Sequence, residues 1–473
     1  MRLDLYWVFT PCPHWHKKTS ISQQESLCLF LSCAISGFIL STATSLGDTG
    51  VYHQQAIRWL SEYGTVTGIA TLMDPLGNAS SWFALCASLS QFLGVSNCGG
   101  ITGGLGTAVI VYTILNRFLT GDNLRTPLAM TLILILGLNI GLCNSPSPDL
   151  PLLFVPILIL DLIAKRPHGY IPVCLILACL LFSIKLIAFL LVAPLLAVCL
   201  YKKEFKALCC GVFVLVLTGF IGYKLSDCAY FPLPYFCSLN AHPRSHEIAI
   251  YNSRHIRIHA MSCGTGVLND FWFWQWAMCS PLSAFLVFGC LVSVLLNRKD
   301  MQKNPWDLWL VLCGVMLMMI APSSRYAGGF WACLFAKLAE KQTVSPNKTW
   351  ILIIFILMFC FVYTITDAQW KRAFWMSHQS GSIKPALNQL LNPFPRMYSP
   401  IRWDQSLPVT TLNGHPIYLR DAQEWDSFGD FCYDSPLPCT WPQRLQEIEF
   451  IDKKAGCQAG FRWKEDMNDH ESM

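Results

Sequence analysis

Long apolar stretches recur along nearly the whole chain, and they restrict its fold more than any other feature of the sequence. About eleven of them approach the roughly 20 residues that an α-helix needs to cross a bilayer. They lie at Ser22–Thr44, Gly99–Phe118, Thr126–Cys143, Leu150–Ala164, Tyr170–Phe182, Leu186–Leu200, Lys206–Tyr223, Phe271–Leu296, Trp306–Ala321, Ala327–Leu338 and Trp350–Thr366. This recurrence predicts an all-α polytopic membrane protein with about eleven transmembrane helices.

The composition points the same way. Of the 473 residues, 53% are hydrophobic and only 13% are charged. Soluble domains carry about 25% charged residues, so the composition disfavours a purely soluble fold. The formal net charge of +5 is small for a chain of this length, and we therefore expect no nucleic-acid partner.

Basic residues are concentrated in alternate connections between the apolar stretches. "AKRPHG", "YKKEFK" and "NRKDMQKNP" are rich in Lys and Arg, whereas the intervening "SPSPDLP" and "APSSRYAGG" hold single charges. Because basic loops stay in the cytoplasm, we predict a cytoplasmic N-terminus at 1–21, a membrane domain at 22–366 and an outer extension at 367–473. An alternative interpretation takes Ser22–Thr44 as a signal peptide, which leaves the remaining topology unchanged.

Four single charges stand at the ends of apolar stretches, all on the predicted outer face: Asp48, Asp149, Lys185 and Arg325. Each has a structural explanation, since Asp48 could cap a helix, Lys185 could extend to the interface and Arg325 could join an ion pair. Charges next to membrane spans are costly and often functional. Their clustering on one face favours a site.

The first outer loop, residues 45–98, follows the first apolar stretch directly. A helix that begins at Asp48 places Tyr52 and His53 near one side, with Arg58 further along. The later segment "NASSWFALCASLSQFLG" is shorter than a full span, and we expect it to form a helix lying at the membrane surface. The loop is thus predicted to contain two juxtamembrane helices.

An acid just beyond a first span, two interfacial helices and a long alternation of spans resemble the GT-C class of membrane glycosyltransferases. The motifs "GDTGVYHQQAIRWLSEYG", "SPSPDLP", "IKLIAFLL" and "FCYDSPLPCTWP" are similar to those of an uncharacterised GT-C-like family of bacterial multi-span proteins. The resemblance covers nearly the whole chain. It departs at "LMDPLGN", where an acid stands in the part of the loop that carries a basic residue in the family.

The resemblance implies an enzyme of the bacterial inner membrane that moves a sugar from a polyprenyl-phosphate carrier to a cell-envelope glycan or lipid acceptor on the outer face. Asp48 would be the catalytic base, and Lys185 and Arg325 would neutralise the phosphate. Asp149 would bind acceptor hydroxyls or a divalent ion. Substrate-binding roles are also expected for the loop residues Tyr52, His53 and Arg58.

No cofactor is expected. Metal-dependent relatives of the class carry paired acids in the first loop, whereas this loop has Asp48 without a close partner. A divalent metal therefore stays the less favoured alternative. The expected partners are the lipid bilayer, the lipid-linked sugar donor and the acceptor.

Two other functions stay open. Polysaccharide polymerases and O-antigen ligases also use lipid-linked substrates and carry a large outer loop, for which residues 224–270 are long enough. A lipid or sugar transporter would explain the many spans and the Gly/Pro-broken segments. Transporters, however, hold their coupling charges near mid-membrane, whereas the four charges here lie at one face.

The outer extension is predicted to be a small α/β or mainly β unit. "LPVTTLNGHPIYL" is typical of a hairpin that turns at Asn413–Gly414. Six of the 22 cysteines fall on the outer side, where an oxidising compartment would allow pairing: Cys228, Cys237, Cys263, Cys432, Cys439 and Cys457. The closest candidate pair is Cys432–Cys439, and free thiols are the alternative.

Overall fold

The computed structural model describes residues 22–40, 48–93, 99–119, 140–143, 145–165, 169–262, 308–309, 311–314, 316, 330, 409–419, 432 and 436–464. Its α-helices are α1 Gln23–Leu40, α2 Gln54–Glu62, α3 Ile69–Leu72, α4 Ser81–Leu93, α5 Gly99–Leu119, α6 Ile140–Cys143, α7 Asp149–Lys165, α8 Tyr170–Ile184, α9 Phe189–Tyr201, α10 Phe205–Ser226, α11 Pro243–Ser262 and α12 Arg444–Glu447. Its strands are β1 Val409–Leu412, β2 His415–Leu419, β3 Cys439–Thr440, β4 Ile448–Phe450 and β5 Phe461–Trp463.

The described part of the chain contains one helix that is long and apolar enough to span a membrane, α10. The other apolar helices there are shorter and have 10–17 residues in their apolar part. The prediction of about eleven transmembrane helices in a GT-C-like arrangement is therefore wrong. The predicted spans Thr126–Cys143, Phe271–Leu296, Trp306–Ala321, Ala327–Leu338 and Trp350–Thr366 lie wholly or largely outside the described residues.

The apolar runs are divided by local breaks that a hydropathy window does not register. Gly169 takes a left-handed conformation with φ 73° before α8, and Lys185 is extended with φ −152° directly after it. Pro156 lies inside α7 and Pro194 inside α9, where each lacks the amide donor of a helical hydrogen bond. Many apolar side chains of these helices are buried against other protein side chains.

One large hydrophobic core joins α7, α8 and α9. Leu150, Leu175, Val192 and Cys199 are fully buried within it. α8 contacts α7, α9 and α10, so it lies at the centre of this group. α5 packs against α1, and Gly104 brings its backbone close to Leu40, whose side chain an added Cβ would meet at 2.2 Å.

The C-terminal residues form two small sheets. β1 and β2 pair antiparallel, β3 adds to β2 in parallel, and β4 pairs antiparallel with β5. The hairpin predicted at Asn413–Gly414 is present, with φ of 50° and 87° at the two residues. Positive φ at both central positions is the requirement of a type I′ turn, which suits the twist of the flanking strands.

A second core joins three distant parts of the chain. Trp59 and Leu72 of the first outer loop pack with Ile248 of α11 and with Phe450 and Phe461 of the C-terminal sheets. Two disulfides lie in this region, Cys228–Cys237 and Cys432–Cys439. The second is the pair that the sequence singles out. Cys457 is a free thiol, and Cys263 lies outside the described residues.

Candidate functional site

Asp48 begins a π-helical turn, Thr49–His53, that leads into α2. The turn bonds each amide one residue further back than an α-helix does, a geometry that is rare and frequent at functional sites. The Asp48 side chain makes no capping hydrogen bond to this turn, so the turn gives no support to a simple capping role. Asp48 is half-buried, and Thr49 beside it is buried.

The segment that carries Asp149 lies against this turn. The hydroxyls of Thr49 and Ser145 are 2.7 Å apart, within hydrogen-bond distance. Ser147 accepts a hydrogen bond from the backbone amide of Asp149 at 3.3 Å. All four side chains are buried, with at most 2% of each residue exposed. The "SPSPDLP" segment therefore places buried polar side chains next to Thr49, the residue that follows Asp48.

Asp149 forms an ion pair with Lys185. The carboxylate is almost fully buried, with 3% of the side chain exposed, while 24% of the Lys185 side chain is exposed. Lys185 can reach Asp149 because its backbone leaves the helical path at the end of α8. The structure thus joins two of the four isolated charges and leaves the ammonium as the more accessible member.

α4 closes the arrangement from the other side. The hydroxyls of Ser81 and Ser183 are 2.7 Å apart, which ties the start of α4 to the end of α8. Phe83 contacts both rings of the π-helical turn, with centroid distances of 6.1 Å to Tyr52 and 5.2 Å to His53. His53 is buried, whereas Tyr52 is half-buried.

These contacts make a closed ring of four segments, which we call the polar ring: 48–53, 145–149, 183–185 and 81–83. It brings together five of the residues that the sequence predicts for a site: Asp48, Tyr52, His53, Asp149 and Lys185. The ring combines a half-buried carboxylate, a partly exposed ammonium and an aromatic wall. Such a set can accept a proton, bind an anion and stack against a sugar face.

Among the predicted site residues that the structure describes, Arg58 lies outside the four segments of the polar ring. Arg58 donates to Glu62 at 2.5 Å along the same helix, in an exposed i,i+4 ion pair. Pairs of this kind contribute only a few tenths of a kcal/mol, about 0.3–0.5, and this contact does not join Arg58 to the ring. Arg325 lies outside the described residues.

Sequence reasoning missed a second buried polar group, centred on Asp74. Arg444 donates to the Asp74 carboxylate at 2.5 Å, and the Asn252 side-chain amide lies 3.3 Å from its other oxygen. Burial raises the pKa of Asp74 above its usual range, although Arg444 and the hydrogen bond from Asn252 oppose the shift. The "LMDPLGN" segment contains no basic residue, and Arg444 of the C-terminal segment supplies the basic side chain that contacts it.

Arg444 is itself held by an aromatic neighbour. Its guanidinium carbon lies 5.1 Å from the centre of the Trp463 ring, within the range of a cation–π contact. Trp463 donates from its indole nitrogen to Ser245 at 3.2 Å, and Ser245 donates to Asp227 at 3.3 Å. Burial raises the pKa of Asp227 as well. Pairings of this range, 370 residues apart for Arg444 and Asp74, leave no local signal in a sequence.

Among the residues that the structure describes, no three His, Cys, Asp or Glu side chains are grouped in a way that could hold a metal ion. Asp149, the predicted ligand, faces the Lys185 ammonium. An ammonium in that position competes with a cation for the carboxylate.

Comparison with known protein families gives a match. A family profile described as "Domain of unknown function (DUF8201)" matches residues 12–332, a range that contains the whole polar ring and Asp74. No curated protein and no solved structure matches the chain.

Proposed function

The chain belongs to the DUF8201 family, and from the chemistry of its polar ring we propose that it is a membrane-embedded glycosyltransferase. It would transfer a sugar from a polyprenyl-phosphate carrier to a cell-envelope glycan or lipid acceptor. The carrying observation is the contact between the Thr49 hydroxyl, directly after Asp48, and the Ser145 hydroxyl of the "SPSPD" segment, at 2.7 Å. That contact places the residue next to Asp48 against the segment whose Asp149 pairs with Lys185.

In the proposed reaction, Asp48 accepts the proton of the acceptor hydroxyl. The acceptor oxygen then forms a bond to the anomeric carbon while the bond from that carbon to the phosphate oxygen breaks, and the electron pair leaves with the phosphate. The partly exposed ammonium of Lys185 would neutralise the charge that develops on this phosphate. Asp149 acts as a positioning residue, because its ion pair fixes the direction of the Lys185 side chain.

Tyr52 supplies the aromatic surface against which the sugar would stack. Its edge is supported by His53, at a centroid distance of 4.4 Å, and by Phe83 at 6.1 Å. His53 is 1% exposed, so we assign it to the support of Tyr52 and not to contact with substrate.

The location follows from two features of the same face. The two disulfides favour an oxidising compartment, and α10 supplies a span of 22 residues that ends beside Cys228. A donor with a polyprenyl tail would reach the ring from the bilayer. We infer from these features that the proposed site faces the outer side of the bacterial inner membrane.

Complementation of a deletion strain tests the proposal. Wild type, Asp48→Asn and Glu247→Gln are expressed at matched membrane levels, and the surface glycans are analysed by mass spectrometry. Asp48→Asn keeps the side-chain size and removes the base. Glu247→Gln is the matched control because it removes an exposed carboxylate on α11, outside the polar ring.

We expect the deletion to remove one sugar from a surface glycan, and wild type and Glu247→Gln to restore it. Asp48→Asn should restore less than about 1% of it, since the loss of a general base costs about 10²–10⁴ in rate. Full restoration by Asp48→Asn would refute the role of Asp48. A glycan profile unchanged by the deletion would refute glycosyl transfer itself.

A further inference from the structure

The chain reverses direction at the end of α10 and runs back beside that helix. Cys228 and Cys237 close a short hairpin by a disulfide and an antiparallel bridge. Ala229 donates its amide to the Phe236 carbonyl at 2.9 Å, and Ser238 donates to Asp227 at 3.0 Å. We call residues 228–237 the disulfide hairpin.

Glycines on α10 allow the hairpin to approach the helix backbone. A Cβ at Gly222 would lie 2.4 Å from the Ala229 carbonyl oxygen, and one at Gly219 would lie 3.0 Å from the Tyr230 ring. The Tyr230 hydroxyl donates to the carbonyl of Leu215 at 3.2 Å. Leu215 precedes the last residue of α10 by eleven residues, roughly 16 Å along the axis at about 1.5 Å per residue.

The same stretch of α10 carries an exposed apolar face. Phe213 is 66% exposed, Val216 is 62% exposed and Phe220 is 56% exposed. Lys224 extends its ammonium to 5.9 Å from the Phe220 ring, as expected of a cation that reaches from an apolar surface toward the headgroups. The hairpin therefore lies at the same height along α10 as this exposed apolar face, and not above the end of the helix.

The tip of the hairpin is itself apolar and exposed. Leu233 is 41% exposed, Tyr235 is 94% exposed and Phe236 is 49% exposed. Tyr230 is half-buried beneath it and contacts the Phe236 ring at 5.0 Å. Aromatic side chains with a polar edge are enriched at the membrane–water interface.

Several amides of the hairpin backbone are hydrogen-bonded within the hairpin. Leu233 donates to Tyr230 at 2.8 Å, Phe236 donates to Leu233 at 3.2 Å and Cys237 donates to Pro234 at 3.3 Å. Pro232 and Pro234 have no amide hydrogen to satisfy. Irregular backbone that is exposed to lipid does not occur within the hydrocarbon region, so the hairpin suits the headgroup boundary and not the interior of the bilayer.

We propose that the disulfide hairpin is an interfacial wedge, whose tip, Leu233–Phe236, inserts its apolar side chains into the headgroup boundary of the outer leaflet beside α10. The inference rests on the membrane location in the proposed function and not on its chemistry. Its partner is the acyl-chain and headgroup boundary of the bilayer. The wedge would hold the outer end of α10 at a fixed depth in the membrane. Since Leu225 at that end belongs to the second core, the position of this core relative to the lipid would also be fixed.

Photo-crosslinking to lipid tests the wedge in the full-length protein. The photoreactive residue p-benzoylphenylalanine replaces Tyr235, Phe213 or Gln446 in turn, and each protein is reconstituted into nanodiscs of phosphatidylethanolamine and phosphatidylglycerol. After illumination, lipid adducts are quantified by mass spectrometry. Phe213 reports on α10 and Tyr235 on the wedge, while Gln446 is exposed on the C-terminal helix α12 and is the negative control.

We expect lipid adducts at positions 213 and 235, each about tenfold more abundant than at position 446, because the bilayer excludes a polar outer surface. Adducts at position 213 alone would overturn the wedge and leave the membrane location standing. Adducts at neither position would overturn both. Cross-links from position 235 to a second copy of the chain, in place of lipid, would overturn the wedge and assign its tip to a protein interface.

Discussion

Replacing Arg444 by methionine removes the guanidinium that faces Asp74 and keeps much of the apolar volume of the side chain. Both partners are largely buried, with 17% of the Arg444 side chain and 9% of the Asp74 side chain exposed. Arg→Met also removes the cation–π contact with Trp463. In this variant the Asp74 carboxylate stays buried between the C-terminal segment and the 45–98 loop but has lost its guanidinium partner.

The expected cost follows from this burial. Breaking a buried ion pair by removing one partner costs about 3–5 kcal/mol. The Asn252 amide stays 3.3 Å from the carboxylate and compensates part of the loss, so we take about 3 kcal/mol, the lower end of that range. This corresponds to a roughly hundredfold increase in the equilibrium constant for opening of the C-terminal segment.

Hydrogen exchange detected by mass spectrometry measures this opening locally. The Phe461 amide donates to the Thr67 carbonyl at 3.0 Å, so the peptide that contains β5 exchanges only when the segment leaves the loop. In Arg444→Met, protection of this peptide should fall roughly a hundredfold. Protection of α8, in the other core, should not change.

Acidification should reduce the defect. The pKa of Asp74 is raised above its usual value of 3.8, first by burial and further by Glu447, with Arg444 and Asn252 opposing. The folded state thus binds a proton at a higher pH than the unfolded state, and stability falls as pH rises through that window. Without Arg444 the pKa rises further. Lowering the pH into the window then neutralises the unpaired carboxylate and restores protection.

The double variant Asp74→Asn with Arg444→Met separates charge from shape. It removes the unpaired carboxylate, and we expect it to recover most of the protection lost in Arg444→Met. If the double variant opens as readily as the single one, and acidification has no effect, the buried charge is not the cause of the defect. A loss of less than about threefold in Arg444→Met would show that the pair is solvated and worth under 1 kcal/mol, as surface ion pairs are.

Three further predictions concern other contacts. Gly68→Ala should detach the C-terminal segment, whereas Gly64→Ala should not. Both glycines have positive φ, but only at Gly68 would a Cβ meet a backbone oxygen of β5, at 2.0 Å. Hydrogen exchange of the β5 peptide in the two variants measures the difference. Lys185→Met should lower the yield of folded protein and Lys185→Met with Asp149→Asn should restore it, since only the single variant takes the ammonium away from a buried carboxylate. Equal yields on fluorescence-detected size exclusion would argue against the ion pair. Cys457 should react slowly with iodoacetamide at pH 8 until the protein is denatured, because burial raises the pKa of its thiol to about 11. Fast labelling of Cys457 in the native protein would contradict this burial.

Local features of the fold could be predicted from the sequence. The span predicted at Lys206–Tyr223 coincides with α10, Phe205–Ser226, a helix that is long and apolar enough to cross a membrane. The turn at Asn413–Gly414 is present because its two residues tolerate positive φ. Tyr52 and His53 lie together in one helical turn, as their spacing requires. Each of these features depends on residues that are close in sequence.

The number of membrane spans could not be predicted in the same way. A hydropathy window counts apolar residues, but it does not distinguish side chains buried by lipid from side chains buried by protein. Leu175 and Val192 lie in apolar runs and are fully buried in a protein core. The extended backbone at Lys185 divides one apolar run into two helices. The ion pair of Lys185 with Asp149 lies at this break, and the sequence alone does not reveal that contact.

The sequence by itself determined which residues carry charge at the ends of apolar segments, and hence which side chains were available for a site. Only the tertiary structure decided how they pair. Lys185 meets Asp149, and Asp74 meets Arg444 from the far end of the chain, because a buried charge must find an opposite charge within a few ångströms wherever the fold supplies one. That choice depends on the packing of whole segments, and no local pattern of residues encodes it.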